Sequence, residues 1–200
     1  MRLFVALDID DGIRQRITRF MEGVRNFAPE ARWVNVESLH LTLKFIGEQP
    51  DALVDRIKEA LAAVAADSFD VQFRGCGFFP TAKAARVFWI GTEAGPLLAK
   101  LASAIDETMP ALGIPKETRP FSPHLTLARA SGGSAAPGWR KSDGANRIFV
   151  PLQNKLAALT VPEFGTMTAH EFFLYRSQLS PKGSKYTKLA RFALGARQVA

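Results

Sequence analysis

The tetrapeptide His40-Leu41-Thr42-Leu43 recurs as His124-Leu125-Thr126-Leu127 in a 200-residue chain that holds three histidines. At average residue usage, chance would produce such a repeat in about one chain of this length in a thousand. An internal duplication of one structural unit explains it better, although likeness outside the motif is slight. The spelling suits a strand, whose side chains alternate faces with a period of two. Leu41, Leu43, Leu125 and Leu127 can then face a helix-covered core, while each His-Thr pair faces the other way.

Two such strands set across a cleft would bring two imidazoles and two hydroxyls to one spot. That set suits in-line attack on phosphorus, with one neutral imidazole taking a proton from water and one imidazolium giving a proton to the leaving oxygen. Histidine fits both tasks because its unperturbed pKa, about 6.5, lies near working pH. The threonine hydroxyls can donate to the non-bridging oxygens. A zinc site is the competing use of two histidines, but it needs three or four ligands, and the chain has no His-x-x-x-His, no His-x-His and no cysteine set. Asp8 and Asp10 could lend carboxylates, yet nothing in their spacing recommends them. The expectation is therefore no metal and no cofactor.

Around the motifs the chain reads as alternating strands and helices. Arg2 to Leu7 is a buried strand, and Asp10 or Asp11 caps a helix carrying Ile13, Ile17, Phe20, Met21 and Val24 on one side. Trp33 to Val36 is a short extended piece, Leu39 to Ile46 a strand closed by Gly47, and Pro50-Asp51 opens a second helix. Val71 to Phe79 and Arg86 to Gly91 form a hairpin. Gly95-Pro96 starts a third helix, His124 to Ala128 is a strand, and Phe172 to Tyr175 another. Ser131 to Arg147, rich in Gly, Ser and Ala, reads as a flexible loop. Thr187 to Ala193 fits either an extended or a short helical tail. Strands mixed with helices and joined by hairpins imply an α+β fold with antiparallel sheet.

Composition adds limits. Hydrophobic residues at 47% and charged residues at 22% are the balance of a globular chain. The formal net charge of +7, from 26 Lys and Arg against 19 Asp and Glu, favours a polyanionic partner without specifying a fold. One cysteine, Cys76, excludes an internal disulfide and reads as a small buried strand residue. No stretch has the length to cross a bilayer and the first residues make no signal peptide, so no membrane partner is expected and the cytoplasm is the default.

These residues resemble the two-histidine phosphoesterases, and among them the RNA 2',3'-cyclic phosphodiesterases first known as 2'-5' RNA ligases. The likeness runs through Arg2 to Leu7, Trp33, Leu39 to Glu48, Phe88 to Gly91, Phe121 to Arg129, and Leu174 to Leu179 with Gly183 and Tyr186. The resemblance implies a single bilobal domain over residues 1–200. Its pseudo-two-fold duplicated antiparallel sheets would be flanked by helices, each lobe giving one motif to a central cleft. It implies metal-independent hydrolysis of an RNA-terminal 2',3'-cyclic phosphate to a 2'-phosphomonoester, with some reverse 2'-5' joining. By family pattern His40 is the proton donor and His124 the acceptor, an order the residues alone leave open. No obligate protein partner is evident.

Several neighbours are candidates to bind such a substrate beside Thr42 and Thr126. Strict alternation puts Lys44 on the His40 face, where it could meet the RNA backbone. It puts Arg129 on the face away from His124, so a phosphate contact there requires a bulge or a strand end. Phe45, Phe78, Phe79 and Trp33 could stack a terminal base. Lys182 to Lys188, basic with one aromatic, could line the entrance, though a solvated terminus is the commoner case. His170 lacks a partner motif and reads as structural or surface. Two other readings remain: an RNA-end-binding protein without turnover, and a phosphodiesterase for a small cyclic nucleotide or an ADP-ribose cyclic phosphate.

Overall fold

The computed structural model describes residues 1–130, 147–180 and 183–195. Of the loop expected over Ser131 to Arg147, residues 131–146 lie outside the described residues, as does Lys182. Nine strands and four helices follow one another among those described: β1 (Arg2–Asp8), α1 (Asp11–Val24), β2 (Arg32–Trp33), β3 (His40–Glu48), α2 (Val54–Ala62), β4 (Phe69–Phe79), β5 (Val87–Glu93), α3 (Gly95–Thr108), β6 (His124–Arg129), α4 (Val150–Ala157), β7 (Glu163–Ala169), β8 (Glu171–Ser180) and β9 (Gly183–Ala193). The strands form two antiparallel sheets, ordered β3-β1-β8-β9 and β2-β6-β5-β4-β7. The fold is α+β and two-lobed, with one motif strand in each sheet.

Local chemistry accounts for the elements that place these strands. Asp10 caps α1, its carboxylate accepting from the Ile13 amide at 2.7 Å. Ile13, Ile17, Met21 and Val24 then recur at helical spacing and are all buried. The second helix opens as a 3-10 turn, Asp51–Leu53, before Val54, Ile57 and Leu61 turn inward from α2. Leu41, Leu43, Leu125 and Leu127 are buried in a single core that runs through both lobes, as alternation requires. The expected hairpin joins β4 to β5. No helix among the described residues is long and apolar enough to cross a membrane.

Three elements differ from the sequence reading. β7 carries Gly165 at φ 104°, and its buried residues Phe164, Met167 and Ala169 fall out of a period of two. The glycine makes room for α1, since a Cβ there would lie 2.6 Å from the Arg16 guanidinium, which donates to the Phe164 carbonyl. α4 buries one residue fully, Leu152, too little for a periodic signal. β9 fills the unassigned tail and pairs along β8, with a bulge at Leu189 that interrupts its alternation.

The sheets also exchange chain. The first sheet takes β1 and β3 from the early sequence and β8 and β9 from its end, while β4, β5, β6 and β7 all belong to the second. Each motif strand stands beside the strand that precedes the helix of its own repeat: β3 beside β1, β6 beside β5.

Candidate active site

Register explains which side chains reach the cleft. Along β3, His40 lies opposite Asp8 and Thr42 opposite Ala6, on the face shared by Phe4, Ala6, Phe173 and Tyr175. The next pair is Lys44 with Val5, so Leu43 is an extra residue and β3 bulges there. β6 does the same. Thr126 lies opposite Trp89 and Ala128 opposite Phe88, leaving Leu127 as the extra residue. Both repeats thus carry the same bulge at the same place, immediately after the His-x-Thr.

The bulge corrects the reading of two residues in opposite senses. Lys44 turns away from the cleft and is buried, its ammonium 2.5 Å from Asp106 and 2.9 Å from the Pro115 carbonyl, so it is not a backbone contact for RNA. Arg129 swings onto the face of His124 and Thr126, opposite Val87. Phe45 takes the matching position on β3, where it is exposed with the Arg2 guanidinium 4.9 Å above its ring.

The two imidazoles are held alike. His40 Nδ1 lies 2.7 Å from the Ser38 carbonyl and His124 Nδ1 lies 2.8 Å from the Ser122 carbonyl. A carbonyl only accepts, so Nδ1 carries the proton in each neutral ring and Nε2 is left with its lone pair for the cleft. Aromatic rings fix both. His40 lies against Phe4 at 4.7 Å and edge-on to Tyr186 at 5.0 Å, and His124 lies edge-on to Phe79 at 4.9 Å with Trp89 at 6.4 Å.

The electrostatics single out one arginine. Burial is the main cause that lowers both histidines below the usual 6.5, His40 to about 4, and each Ser carbonyl partly offsets it. Arg129 lowers both rings further, and His124 lowers His40, so the pair and the arginine share one field although they come from different sheets. β3 and β6 approach each other to allow this. Asp8 acts in the opposite sense on His40 alone of the two. Its carboxylate is held by Arg14 at 2.9 Å and Lys188 at 2.5 Å.

Of the other sequence candidates, Phe79 lies in the His124 wall, but Trp33 and Phe78 belong to the core. Trp33 packs edge-on to Phe88 and donates its indole N–H to the Ala28 carbonyl, and Phe78 stacks on Phe88. His170 is exposed, and its carbonyl accepts from Leu194. Cys76 is half-buried in β4 rather than fully buried, and burial pushes its thiol pKa up. Asp10 serves as a helix cap, and no three His, Cys, Asp or Glu residues come together as a metal-binding group among the described residues.

Sequence reasoning missed the rings around His40. Phe4, Tyr175 and Tyr186 come from β1, β8 and β9, and Tyr186 reaches His40 only because the tail becomes a strand. Alternation was the available signal at Phe4, whose face is opposite that of Leu3 and Val5. Trp89, next to His124, could likewise have been placed from its alternation with Ile90 in a hairpin strand. Gly77 gives it room, since a Cβ there would stand 2.4 Å from the indole ring.

A family model, the LigT-like phosphoesterase, matches the chain twice in succession, over residues 7–89 and 90–186. The chain belongs to that family. Each match contains one His-x-Thr motif, in keeping with the duplication. A Methanothermobacter thermautotrophicus protein named RNA 2',3'-cyclic phosphodiesterase is 31% identical over 97% of this chain and 99% of its own. A crystal structure from Thermus thermophilus superposes with a TM-score of 0.75 at 30% identity, covering 98% of this chain and 100% of that one. Escherichia coli LigT complexed with 3'-AMP gives 0.73 at 28% identity, covering 96% and 97%.

Proposed function

We propose that residues 1–200 act as one bilobal unit that hydrolyses a 2',3'-cyclic phosphate at the end of an RNA to a 2'-phosphomonoester, using His40 and His124 as its acid–base pair. The observation that carries this reading is the matched pair of rings, each with Nδ1–H tied to a carbonyl two residues back, each presenting Nε2 to one cleft beside Arg129. The names of the relatives supply the substrate class, and LigT solved with 3'-AMP supports a nucleotide phosphate in the cleft. The cytoplasm is the compartment such an RNA implies.

In this mechanism neutral His124 takes a proton from water through Nε2 as the oxygen attacks phosphorus. The P–O3' bond breaks, and His40 in its cationic form gives the departing 3'-oxygen a proton. That order is the one the family resemblance implies: burial and Arg129 favour the neutral form of both rings, and the Asp8 carboxylate offsets this at His40 alone. Thr42 and Thr126 donate to the non-bridging oxygens, Arg129 neutralises the phosphate, and Phe45 offers an exposed face to a base. With an RNA 5'-hydroxyl in place of water as the nucleophile, His124 takes its proton, the P–O3' bond breaks with a proton from His40, and the product is a 2'-5' linkage.

The test is an RNA oligonucleotide ending in a 2',3'-cyclic phosphate, incubated with the protein in excess EDTA, with the product resolved as 2'- or 3'-phosphate. The expected product is the 2'-phosphate. Binding without turnover would favour the RNA-end-binding alternative, and activity restored only by added metal would overturn the acid–base reading. Equal turnover of a cyclic mononucleotide, with little salt dependence, would favour a small substrate over RNA.

The pH profile follows from the lowered histidines. Productive free enzyme needs one ring protonated and one neutral. Both pKa values lie below 6.5 and His40 is near 4, so kcat/KM should peak between these limits and fall as pH rises past 7. A bound phosphodiester anion favours the cation and should carry the alkaline limb of kcat to higher pH. Initial rates from pH 4 to 9 measure both, and a kcat/KM optimum near pH 8 would contradict the assignment.

A further inference from the structure

Lys44 is the one charged side chain that is buried among the described residues. Stability alone is a poor reason for it, since well-packed apolar residues can replace a buried ion pair without loss. What it connects is more telling. Its ammonium stands 2.5 Å from Asp106 of α3 and donates to the Pro115 carbonyl at 2.9 Å. The Asp106 carboxylate in turn accepts the Glu117 amide, at 3.1 and 3.2 Å to its two oxygens. Glu117 then accepts from the Thr118 and Arg119 amides and from the Arg119 guanidinium. This knotted segment runs on to Ser122, whose carbonyl orients His124. A residue two positions beyond Thr42 in the first motif strand therefore clamps the lead-in to the second motif. The equivalent position on β6 is Ala128, fully buried and apolar, so the clamp works in one direction only.

We propose that Lys44 and Asp106 are positioning residues, a buried strut between β3 and α3 that fixes where His124 stands relative to His40. The inference rests on the proposed acid–base pair. Misplacing one catalytic group by about an ångström costs on the order of 10²-fold in rate, which sets the size of the effect. The strut acts on His124 through the 115–122 segment and leaves His40, held by Ser38 and its ring neighbours, where it is.

The experiment compares the wild type with K44R and with the apolar pair K44M/D106L, the latter chosen so that no buried charge is left alone. Thermal unfolding of the apolar pair should stay within a few degrees of wild type. Its kcat on the cyclic-phosphate RNA should fall on the order of 10²-fold with KM little changed, and K44R should recover most of the loss. Nitrogen-15 imidazole spectra across pH give a readout independent of turnover. In the apolar pair His124 should lose its fixed Nδ1–H form and shift its titration, while His40 keeps both. An unchanged His124, or equal disturbance of both rings, would overturn the strut. Absent turnover in the wild type together with a disturbed His124 in the apolar pair would instead overturn the phosphodiesterase reading and leave the strut standing.

Discussion

Replacing either His40 or His124 with asparagine should slow hydrolysis of a cyclic-phosphate RNA by about 10²–10⁴-fold. The double replacement should cost far less than the product of the two. Asparagine is the informative choice because its side-chain N–H can still reach the Ser38 or Ser122 carbonyl that now holds Nδ1. The fold and the aromatic bed of Phe4 and Tyr186, or of Phe79 and Trp89, are then retained, and only the Nε2 chemistry is lost. Non-additivity follows from the mechanism, since an acid without its base partner completes no proton transfer cycle. Single-turnover rates on the end-labelled oligonucleotide would measure this. A single variant within tenfold of wild type would remove that histidine from the reaction.

Arg129→Met should lower kcat/KM by on the order of 10²–10³-fold, the usual cost of removing a preorganised donor from developing negative charge. It should also move the pH optimum upward. The sign is set by the field of the guanidinium, which disfavours the cationic form of both histidines. Without it both pKa values rise toward 6.5, and the window in which one ring is charged and one neutral rises with them. Loss of a structural arginine would lower activity without that shift, so the two effects together identify a group that faces the reacting phosphate. A full pH–rate profile of the variant checks this, and an optimum unchanged or moved toward acid would argue against Arg129 in the cleft.

The repeat made the two catalytic candidates and their strand geometry legible. Alternation correctly put four leucines in the core and each His with its Thr on the other face, because that rule depends only on the strand itself. It failed one residue later. A bulge is a mismatch between two paired strands, and nothing in Leu43 or Leu127 signals that an opposite strand runs one residue short. The same inserted residue hid Lys44 and delivered Arg129, so one unseen feature produced both a wrong placement and a resolved one. Tyr186 and Tyr175 were harder still, since their contact with His40 joins the end of the chain to its beginning. β7 escaped because Gly165 adapts the strand to the packing of α1 and breaks its period.

The exchange of strands between sheets has a bearing on how such a molecule is made. A polypeptide growing from its N-terminus has both His-x-Thr motifs out once Arg129 has emerged, and the second sheet can close when Ala169 follows. The free edge of β1 must still wait for β8, and the bed of His40 for Tyr175 and Tyr186. A messenger cut or stopped between these points encodes both histidines and yet a product with one finished wall, its first-lobe strand edge open to other chains. Synthesis must run into the last strand before the aromatic wall of His40 is complete.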